Sequence, residues 1–218
     1  GYGATSAAVQ AIYYAVNNGA KILNNSWGGS GYSQALKDAI AYAYTKKALF
    51  VAAAGNAAGN NDVSPMYPAT YDVPNVISTA ATTPSDGFAY FSNYGSATVH
   101  MGSPGSSIFS TWPGGSYKFT DVTSMATPII AGIAALMLHE KSDLTGYQLK
   151  TFILGSGDIK SVLNGKVSTK SRINAYNSVL SAQMGEPSVD PGYQSVNPLA
   201  SRDVASSIAG GGCGLVGK

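Results

Sequence analysis

The chain is 218 residues long, enough to bury the core of one domain, and only 11% of its residues are charged, with a net charge of +2. This low charge without a basic stripe argues against nucleic acid as a partner, and together with abundant glycine it is typical of a secreted or surface protein. No apolar run reaches the ~18 residues of a membrane span, the first ten residues do not resemble a signal peptide, and the single cysteine, Cys213, excludes a disulfide framework and a cysteine metal cluster.

The first part of the chain alternates between helical and extended patterns. Apolar residues at helical spacing predict a helix over residues 4–18, and the short apolar run AKIL (20–23) predicts a strand after it. A second helix is predicted over residues 33–47, with Ser33 as its cap. The continuous apolar run ALFVAAAG (48–55) is typical of a strand in a parallel sheet that is covered on both faces. This order predicts an α/β domain.

The pattern continues into the second half of the chain. NVISTAA (75–81) and ATVHMG (97–102) predict a third and a fourth strand, and SYKFTDV (116–122) predicts part of a hairpin. Helical patterns follow over about 124–139 and near 146–154 and 173–180. We therefore interpret residues 1–182 as a folded domain and residues 183–218, which are rich in Gly, Ser and Pro, as a tail with little core of its own.

Ser124 stands at the start of the longest predicted helix, and two roles fit it there. Serine is a favoured helix cap, which is the commoner role for a serine considered by itself. A nucleophilic serine at this place would gain from the unpaired N–H groups of the helix start, whose partial positive charge favours a developing oxyanion. Pro128 is compatible with both roles, because proline is tolerated in the first turn of a helix.

Two polar segments follow predicted strands, at the edge where open α/β sheets bind ligands. Asn56 comes directly after the strand over 48–55 and is either an ordinary turn residue or a side-chain donor for a tetrahedral oxyanion. The segment NNSWGG (24–29) is either a glycine-rich turn or a strand end that exposes backbone groups to an extended peptide. Each segment is weak evidence by itself.

Two other enzyme classes do not fit the sequence. A lipase or esterase of the α/β-hydrolase class needs a G-x-S-x-G elbow, whereas Ser124 is flanked as Val-Thr-Ser-Met-Ala. A phosphate-binding loop needs a spaced glycine before Gly-Lys and a Ser or Thr after it, and neither Gly-Lys pair of the chain has them.

Six motifs occur along the chain in a characteristic order: NNSWGG (24–29), AAAGN (52–56), YPATY (67–71), FSNYG (91–95), SPG (103–105) and TSMATPIIAG (123–132). In this order they resemble the subtilisin-like serine peptidase family, and the resemblance covers residues 1–182. It implies a three-layer α/β fold with a mainly parallel central sheet, incomplete in this chain, followed by a low-complexity tail. It also favours the nucleophile over the cap for Ser124.

The resemblance assigns roles to the positions that match the family's motifs. Ser124 matches the nucleophile and Asn56 the oxyanion-hole asparagine, with the backbone N–H of Ser124 as the second donor. Seven residues match substrate-binding positions: Ser26, Trp27 and Gly28 in the strand that pairs with substrate, Ala53, Ala54 and Gly55 in one wall of the primary specificity pocket, and Met66 at its base. Because methionine replaces a smaller residue there, we expect a short pocket that prefers small or medium apolar side chains.

The family's triad runs Asp, His, Ser along the chain, and the resemblance places the first two upstream of GYGATS (1–6). We therefore expect an N-terminal fragment of the same peptidase to supply them, and this polypeptide alone to be nearly inactive. His139 lies on the same predicted helix as Ser124, about 22 Å away at 1.5 Å per residue, which is too far for a general base. His100 is expected to be structural, because the family's base approaches the serine from the other flank.

The expected function is hydrolysis of peptide bonds by a serine endopeptidase through an acyl-enzyme on Ser124. The alternative is a non-catalytic subtilase-like module with a binding or structural role. The intact pair of Ser124 and Asn56 argues against the alternative, whereas Val122, where the family usually has glycine, weakly favours it.

The expected partners are a peptide or protein substrate and the N-terminal fragment. No cofactor or metal ligand is expected; calcium is common in the family, but its strongest site uses residues upstream of this chain. The segment AGGGCGLVGK (209–218) resembles the front of bacterial C-terminal sorting signals, so Cys213 is either a point of membrane anchoring or an incidental cysteine. We expect an extracellular or bacterial cell-surface location.

Overall fold

The computed structural model describes residues 3–186. The tail from residue 187 onwards, with Cys213, lies outside the described residues, as do Gly1 and Tyr2. Among residues 3–186, no helix has the length and hydropathy of a membrane span.

Helices and strands alternate along the described part of the chain. The helices are α1 (Thr5–Asn17), α2 (Gln34–Thr45), α3 (Thr123–Glu140), α4 (Gly146–Gly155) and α5 (Ala175–Met184), with a short 3₁₀ helix at Ser161–Leu163. The strands are β1 (Ile22–Asn25), β2 (Leu49–Ala53), β3 (Val76–Thr82), β4 (Met101–Pro104), β5 (Ile108–Trp112), β6 (Ser116–Thr120), β7 (Asp158–Ile159) and β8 (Ser171–Arg172).

Six of these strands form one sheet in the order β1-β2-β3-β4-β8-β7. β1, β2, β3, β4 and β8 pair in parallel, and β7 pairs antiparallel with β8. Every residue of β2 and β3 is buried, as expected for central strands that are covered on both faces. β5 and β6 form a separate antiparallel hairpin that leads into α3.

Helices cover both faces of the sheet. On one face, residues of α1 and α2 pack with Phe50 and Ala52 of β2. On the other, residues of α3, α4 and α5 pack with Leu49 and Val51, which point to the opposite side because side chains alternate along a strand. The prediction of a three-layer α/β fold with a mainly parallel sheet is confirmed.

Local interactions explain where several elements begin and end. The side chain of Ser33 accepts a hydrogen bond from the N–H of Leu36 (3.3 Å), which confirms the predicted cap of α2. α5 starts at Ala175, two residues later than predicted, because the side chain of Asn174 caps it by accepting from the N–H of Asn177. It ends at Met184, because the next residue, Gly185, has a φ of +78° and stops the helix.

The fourth strand begins at Met101, whereas the sequence pattern predicts a start at residue 97. The backbone N–H groups of Ala97 and Thr98 donate instead to the side-chain carboxylate of Asp62. These bonds hold residues 97 and 98 in a turn and keep them out of the sheet.

Candidate functional site

Three segments meet at the carboxyl edge of the parallel sheet. β1 ends at Asn25 and leads into Ser26, β2 ends at Ala53 and leads into Asn56, and α3 begins at Thr123. Hydrogen bonds join the start of α3 to both strand ends. The segments predicted to hold the nucleophile, the oxyanion donor and the substrate strand therefore lie side by side, at the edge where sheets of this kind bind ligands.

Ser124 is the second residue of α3 and is not its cap, since the cap position belongs to Val122, which makes no side-chain capping bond. The hydroxyl of Ser124 donates to the backbone oxygen of Ser26 over a long 3.3 Å, and the side chain is partly buried. The cap, which is the commoner role for a serine considered by itself, is thus excluded. Among the described residues, the hydroxyl keeps one long hydrogen bond to the protein.

Pro128 explains a second link between Ser124 and β1. Proline has no N–H, so the carbonyl of Ser124, four residues earlier, loses its usual intrahelical donor. The hydroxyl of Ser26 donates to that carbonyl instead, at 2.8 Å. Pro128 is the sixth residue of α3, beyond the first turn in which proline was expected, and the helix tolerates it because Ser26 satisfies the freed acceptor.

Asn56 is oriented by Thr123. Its side-chain oxygen accepts from the backbone N–H of Thr123 (2.7 Å) and from the Thr123 hydroxyl (2.9 Å). A backbone N–H can only donate, so the oxygen must face Thr123 and the Nδ2 group must face away. Asn56 is exposed, and in the part of the chain that the structure describes no hydrogen bond engages Nδ2. The result is a fixed side chain with an uncommitted N–H donor.

Thr123 is fully buried, and its hydroxyl also accepts from the N–H of Gly55 at 3.2 Å. Thr123 thus links the start of α3 to two consecutive residues of the loop after β2, Gly55 and Asn56. The sequence motifs single out Ser124 and Asn56 but not Thr123, although its place directly before Ser124 in TSMA was an available signal.

Met66 lies between the two strand ends. A methyl group built on Gly55 would lie 3.2 Å from Met66 Cε, and one built on Gly28 would lie 3.5 Å from its sulfur. The segment after Met66 and the one after Gly28 are joined by an antiparallel bridge, in which Gly29 and Tyr67 exchange backbone hydrogen bonds of 2.8 Å. The methionine side chain therefore lies next to Gly55 of the predicted pocket wall and next to Gly28 of the predicted substrate strand.

The remaining predicted substrate residues differ in exposure. Trp27 and Gly28 are exposed and Ser26 is partly buried, so an approaching peptide can reach this segment. Ala53 and Ala54 are buried, with exposures of 5% and 0%. In a pocket wall they would therefore support the position of Gly55.

Neither histidine of the sequence lies beside Ser124 as a base. α3 is continuous to Glu140, which keeps His139 about 22 Å along the helix from Ser124. His100 is engaged elsewhere: its Nδ1 accepts from the N–H of Ser78 (2.9 Å), and its Nε2 lies 3.2 Å from Nζ of Lys150. The expectation of a structural role for His100 agrees with these contacts.

Lys150, which is buried, and His100, which is partly buried, form an unusual pair of basic groups. Because Nδ1 accepts a hydrogen bond, a neutral His100 carries its proton on Nε2, facing the lysine nitrogen. Burial lowers the pKa of Lys150 to about 8, although the nearby carboxylate of Asp72 acts in the opposite direction. Burial, and then the lysine charge, hold the pKa of His100 well below its usual value.

The stability of the folded protein should therefore rise with pH between about 8 and the ordinary lysine pKa of 10.5. In this range the unfolded state binds the proton that folded Lys150 has released, so raising the pH favours the folded state, by on the order of 3 kcal/mol in total. Tyr71, whose pKa is raised by burial, acts in the opposite direction above pH 10.

Comparison with a Lys150→Met variant separates the contribution of Lys150 to the pH dependence of stability from that of Tyr71. The free energy of unfolding of this variant minus that of the wild type should fall by about 3 kcal/mol across the same range, because only the wild type gains stability. Lys21→Met, at an exposed lysine, is the matched control. Denaturant titrations at several pH values measure both, and a Lys150→Met difference independent of pH would contradict the prediction.

Residues 3–186 contain no group of three or more His, Cys, Asp or Glu residues arranged to hold a metal ion.

Known proteins resemble the chain over most of its length. The chain matches the model of the subtilase family over residues 1–183. It is 39% identical over 179 residues to thermitase of Thermoactinomyces vulgaris, which covers 82% of this chain and 61% of thermitase. It is 41% identical over 140 residues to subtilisin-like protease 2 of Plasmodium falciparum, which covers 62% of this chain and 10% of that protein. The chain thus spans less than two thirds of the length of either relative.

Solved structures have the same fold. A cold-adapted subtilisin-like serine proteinase superposes with a TM-score of 0.68 at 36% identity, covering 80% of this chain and 61% of that one. A protease from Pseudoalteromonas arctica superposes with a TM-score of 0.73 at 28% identity, covering 83% of this chain and 59% of that one.

Proposed function

Because the chain belongs to the subtilase family, we propose that it supplies the nucleophile and the oxyanion-hole donor of a serine endopeptidase. In this proposal Ser124 forms the acyl-enzyme, and an N-terminal fragment of the same peptidase supplies the triad aspartate and histidine. The observation that carries it is the arrangement at the start of α3, where Thr123 fixes Asn56 beside Ser124 with its Nδ2 group uncommitted.

The reaction would begin when the Ser124 hydroxyl attacks the carbonyl carbon of the substrate and its proton passes to the imidazole of the N-terminal fragment. The resulting oxyanion would accept hydrogen bonds from Nδ2 of Asn56 and from the N–H of Ser124, which lies in the first turn of α3 and has no intrahelical acceptor. Collapse of this intermediate breaks the peptide bond, and the imidazole gives its proton to the leaving amine. Water then hydrolyses the acyl-enzyme with the same histidine as base.

The proposal requires a general base from outside this chain, because neither of the two histidines of the sequence is placed to act on Ser124. His139 is too far along α3, and His100 is held by Ser78 and Lys150. Without a base, Ser124 is a neutral hydroxyl and a poor nucleophile. The polypeptide alone should therefore be nearly inactive.

The substrate would lie along Ser26, Trp27 and Gly28 in an extended conformation, pairing through backbone hydrogen bonds. The residue before the cleaved bond would enter the pocket between Gly28 and Gly55, with Met66 at its base. The long methionine side chain, which lies next to both glycines, would limit the space for a large substrate side chain.

Substitution of Met66 tests this pocket. The assembled enzyme, meaning this chain together with the N-terminal fragment, should cleave after Ala or Leu in preference to Phe. Met66→Ala should raise kcat/KM for the Phe substrate relative to the Ala substrate by roughly 10-fold or more, since a few methylene groups in an apolar pocket change discrimination by about that much. Met184→Ala, at an exposed methionine, is the control. A wild type that prefers Phe would overturn the pocket assignment.

We further propose an extracellular or bacterial cell-surface location, with no cofactor required and with membrane anchoring through the C-terminal tail at Cys213. Low charge and the resemblance of residues 209–218 to a sorting signal support this. Calcium binding by residues of the N-terminal fragment is compatible with the proposal.

Hydrolysis of a peptide library by two preparations tests the function as a whole. The 218-residue polypeptide alone should show almost no cleavage, and the assembled enzyme should cleave with the same peptides and buffer. Brisk cleavage by the polypeptide alone would contradict the imported triad. Absence of cleavage by the folded assembled enzyme would favour the non-catalytic module instead.

A further inference from the structure

A buried asparagine, Asn93, forms hydrogen bonds to the loop that carries Asn56. The backbone N–H of Asn93 donates to the carbonyl of Gly55 (2.8 Å), and the side-chain oxygen of Asn93 accepts from the N–H of Ala57 (2.8 Å). These are the residues directly before and after Asn56. The same oxygen also accepts from the N–H of Gly59 at 3.1 Å. Asn93 thus binds the main chain on both sides of the proposed oxyanion donor.

Asn61 in turn fixes the side chain of Asn93. Nδ2 of Asn93 donates to the side-chain oxygen of Asn61 (2.9 Å), and Nδ2 of Asn61 donates to the carbonyl of Ala54 (2.9 Å). Both asparagines are buried, with exposures of 3% for Asn93 and 0% for Asn61. A buried amide network whose members are all paired has one favoured arrangement, because any rearrangement leaves an unpaired polar group.

The packing between Asn93 and the loop is close. A methyl group built on Gly55 would lie 2.6 Å from Nδ2 of Asn93, and Gly55 has a φ of +111°. Only glycine is compatible with both the contact and the backbone conformation. The loop after β2 is therefore shaped around the Asn93 side chain.

We propose that Asn93, supported by Asn61, is a positioning residue for the oxyanion hole. It does not touch substrate; it fixes the peptide units on either side of Asn56 and so sets where Nδ2 of Asn56 points. Thr123 orients the side chain of Asn56, and Asn93 fixes the main chain next to Asn56. This inference rests on the proposed function, because it assigns Asn93 a role in the same reaction.

An oxyanion donor contributes only when it is placed within hydrogen-bond distance of the developing charge. Asn93→Ala keeps the main-chain hydrogen bond to Gly55 in the pocket wall and leaves Ser26–Gly28 in place. Loss of the side chain should therefore weaken the oxyanion bond in the transition state more than it weakens substrate binding. We expect Asn93→Ala to lower kcat of the assembled enzyme by roughly 10- to 100-fold with KM changed by no more than about 3-fold.

A double-mutant comparison separates positioning from general loss of stability. In an Asn56→Ala background the donor is already gone, so Asn93→Ala should lower kcat by less than about 3-fold further. Asn75→Ala is the matched control, because Asn75 is also fully buried and donates to a backbone carbonyl, that of Ala48, at the opposite end of β2. It should reduce the melting temperature but leave kcat unchanged.

Asn61→Ala provides a second test if Asn93→Ala does not fold. It keeps the contacts of Asn93 with Ala57 but removes the partner of its Nδ2 group, so we expect a smaller fall in kcat that also disappears in the Asn56→Ala background. Equal effects of Asn93→Ala with and without Asn56, or an equal fall in kcat for Asn75→Ala, would overturn the inference. Failure of the wild type to cleave any peptide would instead refute the proposed function.

Discussion

Replacing Ser124 by alanine in the assembled enzyme should lower kcat by about 10⁶-fold, the magnitude known for loss of the nucleophile in subtilisin. Alanine keeps the backbone N–H at the start of α3, and it leaves the carbonyl that accepts from the Ser26 hydroxyl in place. The fold and the substrate strand should therefore persist. What would be lost is the oxygen that, in the proposed function, forms the covalent bond to the substrate.

The rate of peptide cleavage, with circular dichroism to confirm folding, measures this effect. Ser30→Ala is the control, since Ser30 is an exposed serine just beyond the substrate segment and should leave the rate unchanged. A loss of less than about 10²-fold in Ser124→Ala would mean that another group is the nucleophile.

Replacing Asn56 by alanine should lower kcat by about 10²–10³-fold with little change in KM, again the magnitude known for the equivalent donor of subtilisin. Alanine, however, also removes the oxygen that accepts from Thr123, so the loop itself could shift. Asn56→Asp separates the two effects. It keeps an oxygen for the N–H and the hydroxyl of Thr123 and replaces only the donor.

We expect Asn56→Asp to fold like the wild type and to lose at least as much activity as Asn56→Ala, because a carboxylate facing the oxyanion repels it. Asn60→Ala is the control in the same loop, where the side-chain oxygen of Asn60 accepts from the N–H of Asp62. Steady-state kinetics with one peptide substrate compare the three variants. Retention of kcat in Asn56→Asp would show that Nδ2 does not stabilise the transition state.

The layers of the fold and the segments that form the site are predictable from the sequence. The buried run before Asn56 and the amphipathic helices that flank it predict a covered parallel sheet, and the structure has one. The predicted start of β4 is wrong because the carboxylate of Asp62, 35 residues earlier, binds the N–H of Ala97. A contact of that range leaves no trace in local periodicity.

The long-range contacts of the supporting residues are not predictable for the same reason, although the place of Thr123 directly before Ser124 is a signal for that residue. Thr123 and Asn93 act through bonds to a loop that is 67 and 36 residues away along the chain. An asparagine in a segment such as FSNYG is typical of an ordinary turn. Only the tertiary structure shows that the side chain of Asn93 binds the N–H of Ala57. The link between Ser26 and the carbonyl freed by Pro128 likewise appears only when β1 and α3 are brought together.

The most direct test of the central claim is the mass of the Ser124 peptide after treatment with a fluorophosphonate, which traps an activated serine. We expect a phosphonyl adduct on Ser124 in the assembled enzyme and almost none in the 218-residue polypeptide alone. Rapid modification of Ser124 in that polypeptide by itself, or an adduct on another residue of the assembled enzyme, would contradict the claim.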